Sequence, residues 1–359
     1  MQHKNNFNFL RLFLAVLVLL SHSYELIDGN RNREILTRIF NTISLGELAV
    51  DSFFLISGYL ILQSWERSPK LQVFLKKRIL RIYPGFIVAS LVSAYVVGPL
   101  GAATDYFADF ELFQFFKSLV LLQPPNIPPV FPGQPYPFVN DSMWTISYEF
   151  RCYLMVALIG ICGLLSWRIW LALSALTLVM ALSPDSASPL ANLSWVLVGE
   201  PVSLIHFLCF FFAGGCFYLF RHRIHYRFTW VLVLIPILLL SLFNTSTAQL
   251  LLPTIGAYIL FWAAFAPAPI LQRVGSYPDI SYGVYLYGWP VQKLLLWYCP
   301  SLSPWLLFML SCGISFVCGL LSWHFVEKPF LQLKTAPAQK HQEPTPTLLM
   351  SAEKIKAGR

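Results

Sequence analysis

Residues 7–24 read FNFLRLFLAVLVLLSHSY, an apolar run in which Arg11 and His22 are the charge-bearing side chains. At 1.5 Å of rise per residue, about 20 mostly apolar residues cross the hydrocarbon of a bilayer. A basic start ahead of an apolar run is also how a secretory leader begins. No small-residue cleavage site follows here, however, and Arg11 interrupts the run, so these residues are read as a retained first helix.

The same signal recurs along the chain. Further apolar runs cover about 44–64, 79–99, 143–166, 167–183, 200–220, 228–243, 248–266, 280–298 and 304–326, the fifth and seventh helices being the shortest. Leu112–Leu122 is too short to span, carries Lys117, and is expected to lie in the interface or to re-enter. The fold class this implies is all-α, a polytopic integral membrane bundle of about ten transmembrane helices.

Composition agrees. Hydrophobic residues make up 57% and charged residues 12%, against roughly 25% charged in ordinary globular domains. A soluble body of this size would lack the polar surface to cover itself. The net charge of +8 is expected to set orientation beside anionic lipid rather than to bind nucleic acid. With the N-terminus cytoplasmic, the inside loops hold Arg67, Lys70, Lys76, Lys77, Arg78, Arg81, Arg168, Arg221, Arg223 and Arg227. The outside loops hold only Arg31, Arg33, Arg38 and Lys117, with acidic residues among them. This alternation predicts an even number of spans, both termini cytoplasmic, and a multi-pass place in the inner (plasma) membrane. Residues 1–330 form one transmembrane domain, and the Pro-, Lys- and Glu-containing tail 331–359 is expected to be disordered. Six of the seven cysteines lie in apolar runs and no CxxC pair occurs, so neither a disulfide nor a metal site is expected.

Ionisable groups at bilayer depth cost about 2.5 kcal/mol or more and each asks for a reason. Arg11 and His22 are eleven residues apart, nearly three turns, so they share a helix face roughly 16 Å apart. A histidine with no task remains the plain alternative for His22. In the second helix Glu47 and Asp51 are one turn apart and are placed to meet water or to hold a histidine in one tautomer. Glu149 and Arg151 lie on roughly opposite faces of the fourth helix, so each needs a partner elsewhere, lining a central cavity or in a structural ion pair. Arg78 and Arg81 are i, i+3 neighbours at the mouth of the third helix, suited to orientation or to clamping phosphate. His206 is read as a core histidine, and His222 and His225 as solvated loop residues.

These residues resemble, in order and over nearly the whole membrane region, the acyltransferase family 3 of membrane O-acyltransferases acting on cell-surface carbohydrate. Arg11 with His22 resembles the family's Arg-x10-His element. Gly46-Glu-Leu-Ala-Val-Asp-Ser-Phe-Phe-Leu-Ile-Ser-Gly-Tyr59 resembles its second helix, and Arg78-Ile-Leu-Arg81-Ile-Tyr-Pro84 its R-x-x-R-x-x-P element. Ser142-Met-Trp-Thr-Ile-Ser-Tyr-Glu149-Phe-Arg-Cys-Tyr153 resembles the fourth-helix signature, and Ser281–Tyr287 and Trp323–Pro329 resemble the late ones. One departure stands out: Tyr285-Leu-Tyr-Gly-Trp-Pro290 lacks the histidine that many members carry there.

The resemblance implies ten helices that take an acyl group, usually acetyl, from cytoplasmic acyl-CoA and deliver it to a hydroxyl of a cell-surface or lipid-linked saccharide. Acyl-CoA is then a donor substrate, with no tightly bound cofactor. His22 would be the catalytic base, oriented by Glu149 or Asp51, while Arg78, Arg81, Lys77 and Arg11 would face the CoA phosphates. The loop 98–140, rich in proline and aromatics, is where sugar selectivity would reside unless it only packs on helix ends. A transporter without chemistry is the competing class, since it too places charges inside helices, but no paired inverted halves are visible.

Overall fold

The structure is a computed structural model and describes residues 5–102, 105–183, 199–275 and 278–333. Among these residues it is all-helical. The long helices are α1 (Phe7–Asp28), α2 (Leu45–Arg67), α3 (Leu71–Gly101), α4 (Thr145–Ile161) and α5 (Trp167–Ala181). They continue with α6 (Pro201–Leu219), α7 (Phe228–Ser241), α8 (Thr245–Phe265), α9 (Ser281–Tyr298) and α10 (Pro304–Gln332). Six of them, α1, α2, α3, α6, α8 and α10, are long and apolar enough to cross a membrane. α5 and α7 are apolar but have only 15 and 14 residues. Leu112–Val120 is a separate short helix, tied to α3 by the Tyr83 hydroxyl donating to Val120 O at 2.9 Å. The tail from residue 334 onward lies outside the described residues.

Two boundaries move relative to the hydropathy reading, and both matter for the site. α1 continues past residue 24 to Asp28 and stops only at Gly29, whose left-handed φ of 76° provides the usual helix exit. α3 begins at Leu71 rather than near 79, because the Lys76–Arg81 cluster is itself helical. Lys and Arg are good helix formers even where hydropathy is low.

Helices α2 and α6 run parallel and very close. A Cβ on Gly58 would sit 1.9 Å from Phe211 O, and one on Gly214 would sit 2.0 Å from Leu55 O. Only glycine allows backbones to approach this closely. The same register stacks Phe54 on Phe207 at 4.3 Å and, about two turns from the glycine contact, brings Asp51 to His206. α1 packs antiparallel to α2, with Gly46 beside Ser21 and Phe7 against Tyr59. It packs parallel to α9, where Gln292 Nε2 donates to Leu19 O at 2.8 Å and to Ser23 Oγ at 2.7 Å. α10 closes antiparallel on α9, with Gly283 against Gly319. On the periphery, Val179, Leu240, Met309 and Phe325 are largely exposed. So much outward apolar surface suits lipid rather than water. The segment after α3 packs down onto α9. Asn140 Nδ2 donates to Leu286 O at 2.8 Å and Lys293 Nζ to Tyr136 O at 2.6 Å, while Phe131 N reaches Gly101 O at 2.8 Å.

Candidate active site

Two cavities lie end to end inside the bundle. The first is lined by Arg11, Arg78, Arg81, Ser57, Glu149, Tyr153 and Tyr282, among others. Its cations differ in how far they are already neutralised. Asp279, in the loop ahead of α9, bridges Arg81 Nη2 at 2.7 Å and Arg11 Nη1 at 3.1 Å, and Glu327 lies 3.5 Å from Arg81 Nη1. Burial alone would raise the Asp279 carboxyl, but Arg11 and then Arg81 outweigh it and hold the group at about 2. Arg78, by contrast, has no ion pair among the described residues. It donates to Ser64 Oγ at 3.3 Å and lies 5.9 Å from the centres of the Phe74 and Tyr153 rings. The Nε atoms of Arg78 and Arg11 are buried with no hydrogen-bond partner. A buried guanidinium N–H left unmatched is costly, and of the three arginines lining this cavity Arg78 is the one without a carboxylate partner among the described residues.

Glu149 lies in the same cavity and accepts from Ser57 Oγ at 3.0 Å and from the Tyr153 hydroxyl at 2.5 Å. Tyr153 follows Glu149 by one helical turn, so α4 supplies both halves of that bond.

The second cavity, about 320 Å³ in volume, is lined by His22, Glu25, Arg31, Glu47, Asp51, Ser203 and His206, among others. His22 Nδ1 lies 2.7 Å from Glu25 Oε1, and Glu25, 5% exposed, is held from its other oxygen by Arg31 Nε. An ionised carboxylate only accepts, so Nδ1 carries the proton and Nε2 is left as the basic atom. The arrangement is base, orienting carboxylate and anchoring cation. A second imidazole faces the cavity from α6: His206 Nε2 lies 2.7 Å from Asp51 Oδ1. Glu47 is occupied at the start of α2, where it accepts from Ser44 N at 2.8 Å and completes a capping box.

Val50, Thr145 and Tyr285 line both cavities and so form the wall between them. The Tyr285 hydroxyl donates to Ser142 O at 2.5 Å and meets Thr145 Oγ1 at 2.7 Å.

Against this geometry, a family model described as an acyltransferase domain matches residues 4–324. The chain belongs to acyltransferase family 3. It is similar to an O-acetyl transferase of Shigella phage Sf6, at 28% identity over 92% of this chain and 97% of the relative. It is also similar to nodulation protein 10 of Rhizobium leguminosarum bv. viciae, at 26% identity over 93% and 95% of the two chains. No solved structure matches.

Within this acyltransferase, the structure brings Arg11, Arg78, Arg81 and Glu149 to one cavity and His22 and Asp51 to the other. It does not join them as the sequence suggested. Neither Glu149 nor Asp51 orients His22; Glu25 does, because α1 continues far enough to put a carboxylate at i+3 on the same face. Asp51 holds His206 instead, a residue read from sequence as core. Lys77 donates to Ser68 Oγ at 3.0 Å and does not line the arginine cavity. Arg151 turns away from Glu149 to Ser147 Oγ at 2.9 Å and the Tyr148 ring. Among the described residues of the loop 98–140, none lines the histidine cavity. Its described residues Phe138 and Asn140 pack along α9, at Trp289 and Leu286.

Proposed function

We propose that this acyltransferase carries an acyl group, acetyl by its likeness to the O-acetyl transferase, from cytoplasmic acyl-CoA to a hydroxyl of a cell-surface or lipid-linked saccharide. The observation that carries this reading is the pair of cavities, one cationic and one histidine-lined, that share Val50, Thr145 and Tyr285 as lining residues. Its setting is the inner membrane, crossed ten times with both termini cytoplasmic. Supporting that topology, α1 runs parallel to α9 and antiparallel to α2, and α2 runs parallel to α6, as strict alternation along the chain requires. α1 then carries Arg11 near the cytoplasmic side and His22 near the opposite one.

In this reading the CoA phosphates meet Arg78, whose guanidinium has no carboxylate to displace, with Arg11 and Arg81 adding positive potential from beside Asp279. The thioester reaches the wall between the cavities. His22 Nε2 takes the proton of the acceptor hydroxyl as that oxygen attacks the thioester carbonyl, and Glu25 stabilises the imidazolium that forms. The tetrahedral intermediate collapses with loss of the C–S bond. The sulfur leaves with the proton held by His22, giving CoA thiol and the O-acyl ester.

The test is CoA release by purified protein supplied with acetyl-CoA and envelope glycans. His22→Ala should insert and elute as wild type yet release CoA only at background. Full release by that variant overturns the assignment, and no release by wild type favours the transporter class.

A further inference from the structure

Beyond the base and its orienting carboxylate, the histidine cavity contains a second, independently built imidazole. His206 comes from α6 and Asp51 from α2, and their bond of 2.7 Å depends on the glycine contact between those helices. Asp51 is 4% exposed and His206 34%, so the carboxylate is an internal support and the ring is the part presented to the cavity. An ionised Asp51 only accepts, so Nε2 donates to it and Nδ1 is the ring's uncommitted polar atom. Glu47 is spent on its cap, and Glu25 on His22 and Arg31. The uncommitted polar edges facing this space therefore include two imidazole nitrogens from different helices. At about 320 Å³ the space lies in the range of small-ligand sites. It is far larger than one hydroxyl or one water requires.

We infer that His206, positioned by Asp51, is an acceptor-binding residue: it accepts a hydrogen bond from a second hydroxyl of the molecule whose first hydroxyl is deprotonated by His22. The inference rests on the acyl-transfer reading above and narrows its acceptor to polyhydroxylated molecules, as sugars are, rather than simple alcohols. Trp144, which lines the same cavity and is 38% exposed, offers an aromatic surface to the C–H side of such a ring.

The test uses full-length wild type, His206→Ala and His206→Gln in lipid nanodiscs. Acetyl-CoA is the donor, glycolipids extracted from the envelope of cells with the gene deleted are the acceptor pool, and CoA release is the readout. Loss of one hydrogen bond is worth about tenfold. The glycan concentration giving half-maximal rate should rise about tenfold in His206→Ala and less in His206→Gln, which keeps an acceptor atom. The half-saturating acetyl-CoA concentration should stay at the wild-type value. Gln also serves as the deciding variant should Ala fail to fold. An unchanged glycan half-saturation, or a loss confined to maximal rate, overturns the inference. No CoA release by wild type would instead count against the acyl-transfer reading itself.

Discussion

Replacing Glu25 by glutamine tests the histidine site through a single atom. The side chain keeps its shape, but its two ends cease to be equivalent. Arg31 Nε can only donate, so the amide oxygen must turn to it, leaving the amide NH2 facing His22 Nδ1 where Glu25 Oε1 now sits at 2.7 Å. That forces Nδ1 to accept and moves the ring proton to Nε2, the atom required as base. General-base catalysis contributes about 10²–10⁴ in rate, and a ring locked in the wrong tautomer forfeits it. Glu25→Gln is therefore expected to lower kcat for CoA release by about 10²–10⁴, at least as much as Glu25→Ala does. The double variant Arg31→Ala with Glu25→Gln should recover part of the loss, because the amide is then free to rotate. Purified proteins matched for elution and melting temperature, assayed with a thiol reagent, give the comparison. Activity of Glu25→Gln within threefold of wild type, or no recovery in the double variant, would refute the tautomer argument.

Three further outcomes follow from the packing and the charges. Gly58→Ala places a methyl 1.9 Å from Phe211 O. Overpacking of this kind costs about 1–3 kcal/mol, so the melting temperature in detergent should fall and glycan half-saturation should rise as Asp51 and His206 separate. Arg78→Lys loses a planar, bidentate donor at the cation with no ion pair and should raise the half-saturating acetyl-CoA concentration about tenfold. Arg81→Ala should instead destabilise, by about 3–5 kcal/mol, because Asp279 and Glu327 lose their shared cation; melting curves separate the two roles. Asp279, held at about 2, contributes stability that is complete above its ordinary value of 3.8 and is lost as pH falls through about 2. Melting of Asp279→Asn should therefore differ from wild type by a constant amount from pH 8 to pH 5, the gap closing only in strong acid.

The helices were legible because each is a local pattern. Apolar runs located the ten long helices, though α3 begins eight residues before its apolar run, and the i, i+11 spacing of Arg11 and His22 placed them on one face. What escaped was of two kinds. Glu25 was hidden by a boundary: polar residues after His22 look like the end of an apolar run, although a backbone continuing to Gly29 makes them the last turn of a helix. Asp279, Glu327 and His206 were hidden by distance along the chain. Asp279 and Glu327 meet Arg81 across 198 and 246 residues, and His206 meets Asp51 across 155. No spacing rule reaches that far. The Gly58–Gly214 contact that sets the Asp51–His206 register is likewise invisible until two helices are known to be neighbours. The carboxylate partners of Arg81, read from sequence as set for orientation or for phosphate, escaped for the same reason, since they lie in α10 and in the loop before α9.

The central claim is that one acyl group passes from the arginine cavity to the histidine cavity and leaves on a saccharide. Mass spectrometry of surface polysaccharide tests it most directly, comparing cells with the wild-type gene, with the gene deleted, and with His22→Ala at equal membrane abundance. The expected result is an acetyl-sized mass increment on one sugar residue in the first case and its absence in the other two. An increment that persists with His22→Ala, or polysaccharide of the same mass with and without the gene, would contradict the account.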